Sequence, residues 1–199
     1  MARATDTRTL VYLVRHGQTA LNESGVLRGL LDPQLNETGR RQASLLGQVL
    51  GPRQLSLVAA SPLRRARETA QPTADRAGLI VTTDRCFIDR DYGPWAGTPK
   101  DTVVAQWGSV DAAPGVEPRS AVRDRAVRGL TILAGRFSGA SVVVVSHDAV
   151  NQEVLAALDP GLGDPADIEQ DNGCFNILQW TAGGMVVLSV NEHPDGTQP

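Results

Sequence analysis

The chain has 199 residues, 41% of them hydrophobic, which is enough for one domain with a substantial core and cramped for two. A net charge of −3 and a pI near 5.6 argue against a general nucleic-acid binder. No apolar run approaches the roughly 18 residues needed to span a bilayer, and the polar N-terminus has no secretory centre, so no membrane association and a cytoplasmic location are expected. Cys86 and Cys174 lie far apart and fit no metal spacing, which reads as two free thiols in a reducing compartment.

Residues 1–8 and 192–199 read as flexible tails of a single domain. LVYLV (10–14) is a buried strand, followed by a polar, glycine-bearing loop to about Thr38 and a helix to about Leu50, which Gly51-Pro52 ends. LSLVAA (55–60) is the second strand, and Pro62 suits the first turn of a helix running to about Ala77. A short strand is expected near 79–82, and residues 84–117 read as irregular. A helix follows over about 119–136, its many arginines forming a solvated face. SVVVVS (141–146) is continuously apolar and β-branched, a strand buried on both faces. Asp148 reads as the N-cap, facing away from the strand ends, of a helix through Leu158. Two late strands, about 174–180 and 185–190, flank an Ala-Gly-Gly turn. Strands alternating with helices predict an α/β three-layer sandwich, its central sheet mainly parallel with helices on both faces. An edge-strand homodimer would be compatible with it.

Active groups in such sheets gather beyond the carboxyl ends of the strands. Two of the three histidines share that address, His16 after LVYLV and His147 after VVVV, whereas His193 lies in the C-terminal tail. Around His16 stand Arg15, Gly17, Thr19 and Asn22: a cation, a hydroxyl and a carboxamide beside a glycine that lets backbone approach a ligand. Such a group suits phosphate, whose oxygens match the guanidinium fork. Of Arg64, Arg65 and Arg67, neighbours on one helix, a single one is expected to enter the pocket. The loop after the first strand lacks the spaced glycines of a dinucleotide fingerprint, which excludes a nucleotide-binding oxidoreductase.

LVRHGQTALN, SPLRRARETA, FIDRDYGPWAG and VVVVSHD, in that order, resemble the histidine phosphatase superfamily, also called phosphoglycerate-mutase-like. The resemblance implies that His16 is a nucleophile that becomes phosphohistidine. It implies further that Arg15, Arg65 and His147 hold the phosphoryl group and that Asn22, with Thr19 nearby, contacts phosphate. Arg28 and Gly29 would touch substrate or phosphate, and Asp89 would protonate the leaving oxygen, in preference to Asp91. The family generally uses glutamate at the acid position, and many relatives carry glycine where Asp148 stands.

No cofactor or metal is implied, and the partner is a small phosphorylated molecule. The expected activity is metal-independent hydrolysis of a phosphate monoester, of the histidine acid phosphatase type. Only about fifty residues separate Trp95 from His147, too few for the longer lid of the family's mutases, so hydrolysis is preferred over mutase transfer. Besides the mutase, a catalytically silent phosphate-binding module and a metal-dependent hydrolase using His16 and His147 as ligands stand as alternatives. Leu27, Leu30, Leu31, Trp95 and Trp107 are expected to wall the outer pocket, with Arg28 and Arg90 as polar selectors, and ordinary core packing stands as an equal reading for the two tryptophans.

Overall fold

The computed structural model describes residues 8–196. Among them, β1 (Thr9–Arg15), β2 (Leu55–Ala60), β3 (Val81–Thr83), β4 (Ser141–Ser146), β5 (Phe175–Thr181) and β6 (Gly184–Glu192) form one sheet in the order β3-β2-β4-β1-β5-β6. The first four in that order pair in parallel, while β5 and β6 join antiparallel. The tail expected from residue 192 starts later: Glu192 closes β6, and His193 reaches the Asp171 carboxylate at 3.2 Å. Of the tail expected at 1–8, residues 1–7 lie outside the described residues, as do 197–199.

Alternation along the central strands supplies both faces of the core. Val11, Leu13, Val142 and Val144 pack on one side with Ala126 and Leu130 of α5 (Arg119–Arg136) and Val150 and Val154 of α6 (Asp148–Leu158). Tyr12, Val14, Val143 and Val145 face the other side, against Leu46 and Leu50 of α2 (Glu37–Leu50) and Ala66, Ala70 and Ala74 of α3 (Arg64–Ala77). The two helical layers and the sheet are the expected three-layer sandwich. No helix among the described residues is long and apolar enough to cross a membrane.

Two short helices lie where the sequence reads as loop, α1 (Ala20–Glu23) and α4 (Lys100–Trp107). Only Val103 of α4 is fully buried and no residue of α1 is, so neither carries an apolar stripe that periodicity could detect. At α6 the N-cap is His147, in extended backbone, and Asp148 is the first helical residue. The cap assigned to Asp148 is therefore displaced by one position, and this changes where its carboxylate points.

The feature that organises the site is a register. Arg15 pairs with Ser146 across the parallel β1–β4 ladder, and the His16 amide continues it by donating to the Ser146 carbonyl at 3.0 Å. The next residues, His16 and His147, must then emerge side by side. Gly17 and Gly39 let the chain after β1 touch the start of α2: a Cβ on Gly39 would meet the Gln18 carbonyl oxygen at 2.1 Å, and one on Gly17 the Gly39 oxygen at 2.6 Å.

Candidate active site

The two imidazoles sit 5.1 Å apart between ring centroids, tilted by 59°, and both are fully buried. His16 Nδ1 lies 2.7 Å from the carbonyl oxygen of Gly17. A carbonyl only accepts, so Nδ1 carries the proton and Nε2 keeps its lone pair. Arg65 Nε approaches that Nε2 at 3.3 Å. Burial first, then the charges of Arg65 and Arg15, hold the His16 imidazole well below its ordinary value of 6.5, outweighing the opposite pull of the Gly17 carbonyl. His16 is thus a neutral base in a cationic surround. The His16 carbonyl is secured by Asn172 Nδ2 and the Gly173 amide.

Of the three arginines that begin α3, Arg65 enters the site, fully buried, while Arg64 pairs with Glu68 on the surface and Arg67 is exposed. Arg65 donates to the carbonyls of Leu31 (2.6 Å) and Gly29 (2.9 Å) and to Asp89 Oδ2 (2.7 Å). Gly29 accepts that bond with a φ of +50°, and a Cβ there would press on the Arg90 carbonyl and the Tyr92 ring at 3.1 Å. His147 Nε2 meets Ser61 Oγ at 2.8 Å, a partner the sequence reading did not single out. Its Nδ1 has no hydrogen bond and lies 3.6 Å from Asp89 Oδ2. Burial, Arg65 and His16 all push the His147 imidazole well below its usual value.

Asp89 and Asp91, the rival acids, have different surroundings. Asp89 is 2% exposed and faces both Arg65 and His147, whereas Asp91 caps its own turn by accepting from the Gly93 amide. Burial raises Asp89 above the usual carboxylate value against the opposing pull of Arg65. Thr19 and Asn22 cap α1: Asn22 Oδ1 accepts from the Thr19 amide and hydroxyl, at 3.0 and 2.8 Å.

Asp148 does not face away. Its Oδ2 joins Arg15 Nη2 (3.0 Å) and Arg28 Nη2 (2.7 Å), linking two of the expected phosphate cations with 26% of its side chain exposed. The physical reason is the one-residue shift of the cap: placed inside the first turn, the carboxylate lies over the strand ends, where two guanidinium groups attract it. Burial works against its charge, but Arg15 and Arg28 outweigh that and hold Asp148 well below the ordinary value. Arg15 also donates to the Gln170 carbonyl. The Nε atoms of Arg15 and Arg28 are buried without a hydrogen-bond partner, donors that an anion's oxygens could satisfy.

Beyond Arg28 and Asp148 opens a cavity of about 280 Å³. Leu27, Arg28 and Arg90 line it as expected, joined by Tyr92, Lys100, Arg119 and Glu153, which the sequence reading left out. Leu30, Leu31, Trp95 and Trp107 do not line it. Leu30 borders a separate cleft, and the two indoles pack against each other, with Trp95 Nε1 donating to the Pro114 carbonyl. Arg90 is held by Asp111, which also binds Arg119, so the cationic wall is braced by carboxylates. Among the described residues no cluster of three His, Cys, Asp or Glu side chains could hold a metal ion. Cys86 and Cys174 are both free.

The strand ends thus present two neutral histidines in a buried, arginine-rich hollow. The chain belongs to the histidine phosphatase superfamily (branch 1), whose model matches residues 11–193. It is 34% identical over 194 residues to a bifunctional protein of Mycobacterium tuberculosis, covering 92% of this chain and 53% of that protein. It is 30% identical over 196 residues to phosphoserine phosphatase 1 of Hydrogenobacter thermophilus, covering 90% of each. A mycobacterial glucosyl-3-phosphoglycerate phosphatase superposes with a TM-score of 0.83 at 28% identity, over 92% of this chain and 99% of that one. The chain spans about half the length of the first curated relatives it matches. Its relatives include phosphatases of this superfamily.

Two outcomes follow from the electrostatics. Folded, His16 and His147 are held neutral, while unfolded they protonate near pH 6.5. Their contribution to stability is therefore present above that pH and lost as pH falls below it. Each adds a slope of up to about 1.4 kcal/mol per pH unit between about pH 6.5 and its folded value, so His147→Gln should flatten the wild-type dependence of denaturant-derived stability by up to one proton. Identical slopes would contradict the assignment. The second concerns Asp148: Asp148→Asn should strengthen competitive inhibition by inorganic phosphate about tenfold, because the dianion no longer shares Arg15 and Arg28 with a fixed charge. Weaker inhibition would mean that the carboxylate is needed to hold the arginines in place.

Proposed function

We propose that the protein is a metal-independent phosphatase that hydrolyses a small phosphate monoester through a phosphohistidine on His16. The observation that carries this reading is the state of His16: neutral, its Nδ1 proton committed to the Gly17 carbonyl and its Nε2 lone pair beside Arg65. In the first step Nε2 attacks phosphorus, the bond to the leaving oxygen breaks, and Asp89 gives that oxygen its proton. In the second, water attacks phosphorus, the phosphorus–Nε2 bond breaks with its electron pair returning to the His16 ring, the water proton passes to the Asp89 carboxylate, and inorganic phosphate departs. Transferring phosphoryl groups spread negative charge over their equatorial oxygens, so positioned donors provide most of the catalysis. Arg15, Arg28, Arg65 and His147 are the donors for those oxygens, Asn22 and Thr19 shape the loop beside them, and the Gly29 segment closes the floor.

A raised carboxyl suits the acid role, since Asp89 keeps its proton further toward neutrality than an exposed aspartate. The cavity of about 280 Å³ favours a leaving group of modest size, and its mixed cationic and acidic wall favours a polar one. Names carried by the relatives, phosphoserine and glucosyl-3-phosphoglycerate phosphatases, fall within that class.

Rapid quench with a radiolabelled monoester should trap acid-labile, base-stable label on His16, with turnover undiminished by EDTA. His16→Ala should lose the label and retain below about one-thousandth of kcat. Phosphate release without any labelled enzyme, or full loss of activity in chelator restored by zinc, would reject this function.

A further inference from the structure

Asp89 sits in a segment with little regular structure, between the single turn at Arg85–Phe87 and the turn at Gly93–Trp95. Its carbonyls find few backbone partners. One side chain on α5 takes up three of them: Arg125 donates from Nη1 to the Cys86 and Ile88 oxygens (2.9 and 2.6 Å) and from Nη2 to the Asp89 oxygen (3.1 Å). Arg125 is itself held by Glu117, through Nε at 3.0 Å and Nη2 at 3.2 Å. Glu117 grips the same segment just downstream. Its Oε2 accepts from the Asp91 amide at 3.1 Å, its carbonyl from Arg90 Nε at 2.8 Å, and its amide donates to the Asp91 carbonyl at 2.8 Å. The pair thus spans residues 86–91.

We infer that Arg125, locked by Glu117, is a positioning residue that sets where the Asp89 carboxyl stands relative to the leaving oxygen. This rests on the reading of Asp89 as the proton donor. Arg125 hydrogen-bonds neither histidine, and its three bonds to the segment go to main-chain oxygens, so it acts through the backbone of the acid. Three bonds from one guanidinium to the segment, with two more to Glu117 that fix the guanidinium itself, exceed what an irregular loop needs merely to stay attached: the Phe87 ring is already buried in the core, and Ser146 Oγ already binds the Phe87 carbonyl. What they add is fixed placement of residues 88 and 89. Aspartate, a methylene shorter than glutamate, has less reach with which to correct a misplaced backbone. Proton transfer depends on reach, and displacement by about 1 Å can cost as much as a hundredfold.

The readout is leaving-group selectivity, which a purely structural role would not move. With kcat/KM, which reports the first transfer, Arg125→Ala and Glu117→Gln should lower turnover of an alkyl phosphate at least about tenfold and of p-nitrophenyl phosphate by less than about threefold, whose phenolate leaves without an acid. Arg125→Lys should fall between wild type and alanine, and it supplies the answer if the alanine variant does not fold. Equal losses on both substrates, or none, would overturn the inference. Asp89→Asn run in parallel separates the two levels. If it is selective and the Arg125 and Glu117 variants are not, only the positioning role fails. If it is itself unselective, the acid assignment fails and the inference falls with it.

Discussion

The 2.7 Å bond between His16 Nδ1 and the Gly17 carbonyl is the constraint on which the rest depends. It selects one tautomer and leaves Nε2 as the only nitrogen able to attack. His16 directly follows the last pair of the β1–β4 register, and beyond it the chain packs Gly17 against Gly39, where neither position has room for a side chain. Burial and two arginines then keep the ring uncharged. In the proposed mechanism an imidazole in this state needs no partner base to activate it, in contrast to a serine or cysteine. The same register delivers His147 to the opposite side of the pocket, where Ser61 holds its far nitrogen.

Around this pair, two carboxylates share one arginine-rich hollow and are driven in opposite directions. Asp89, deep and facing a single guanidinium already committed to two carbonyls, is raised. Asp148, partly open to solvent and bridging Arg15 and Arg28, is lowered. Environments that separate two like groups in this way divide their labour. One is suited to holding a transferable proton and the other to remaining a fixed charge. Under the proposed function, with Asp89 protonated, three arginines and one Asp148 carboxylate leave two positive charges, a match for a phosphate dianion.

The central sheet was legible because it is simple. β4 is four consecutive valines between two serines, its burial on both faces follows from that composition, and the histidines at two strand ends follow from the general placement of sites in parallel sheets. Arg65 was legible as one of three candidates, since helical geometry allows a single direction of approach to one pocket. Other features depend on tertiary partners that no local pattern announces. The side on which Asp148 points is decided by Arg15 and Arg28, residues 120 and more positions away. The arginines of α5 read as a solvated face, yet Arg125 is largely covered and Arg119 reaches Asp111 and Glu153, because the irregular segment 84–117 folds back over the helix. Of the two readings open for the tryptophans, packing holds for Trp95, which joins a small satellite cluster with Leu27 and Val103, while Trp107 packs edge-on against it and is partly exposed.

Nitrogen-15 and phosphorus-31 NMR of the trapped phosphoenzyme, labelled at histidine, addresses the tautomer directly. The geometry predicts phosphorus coupled to His16 Nε2, with Nδ1 still protonated and hydrogen-bonded. Phosphorus found on Nδ1, or on His147, would contradict it.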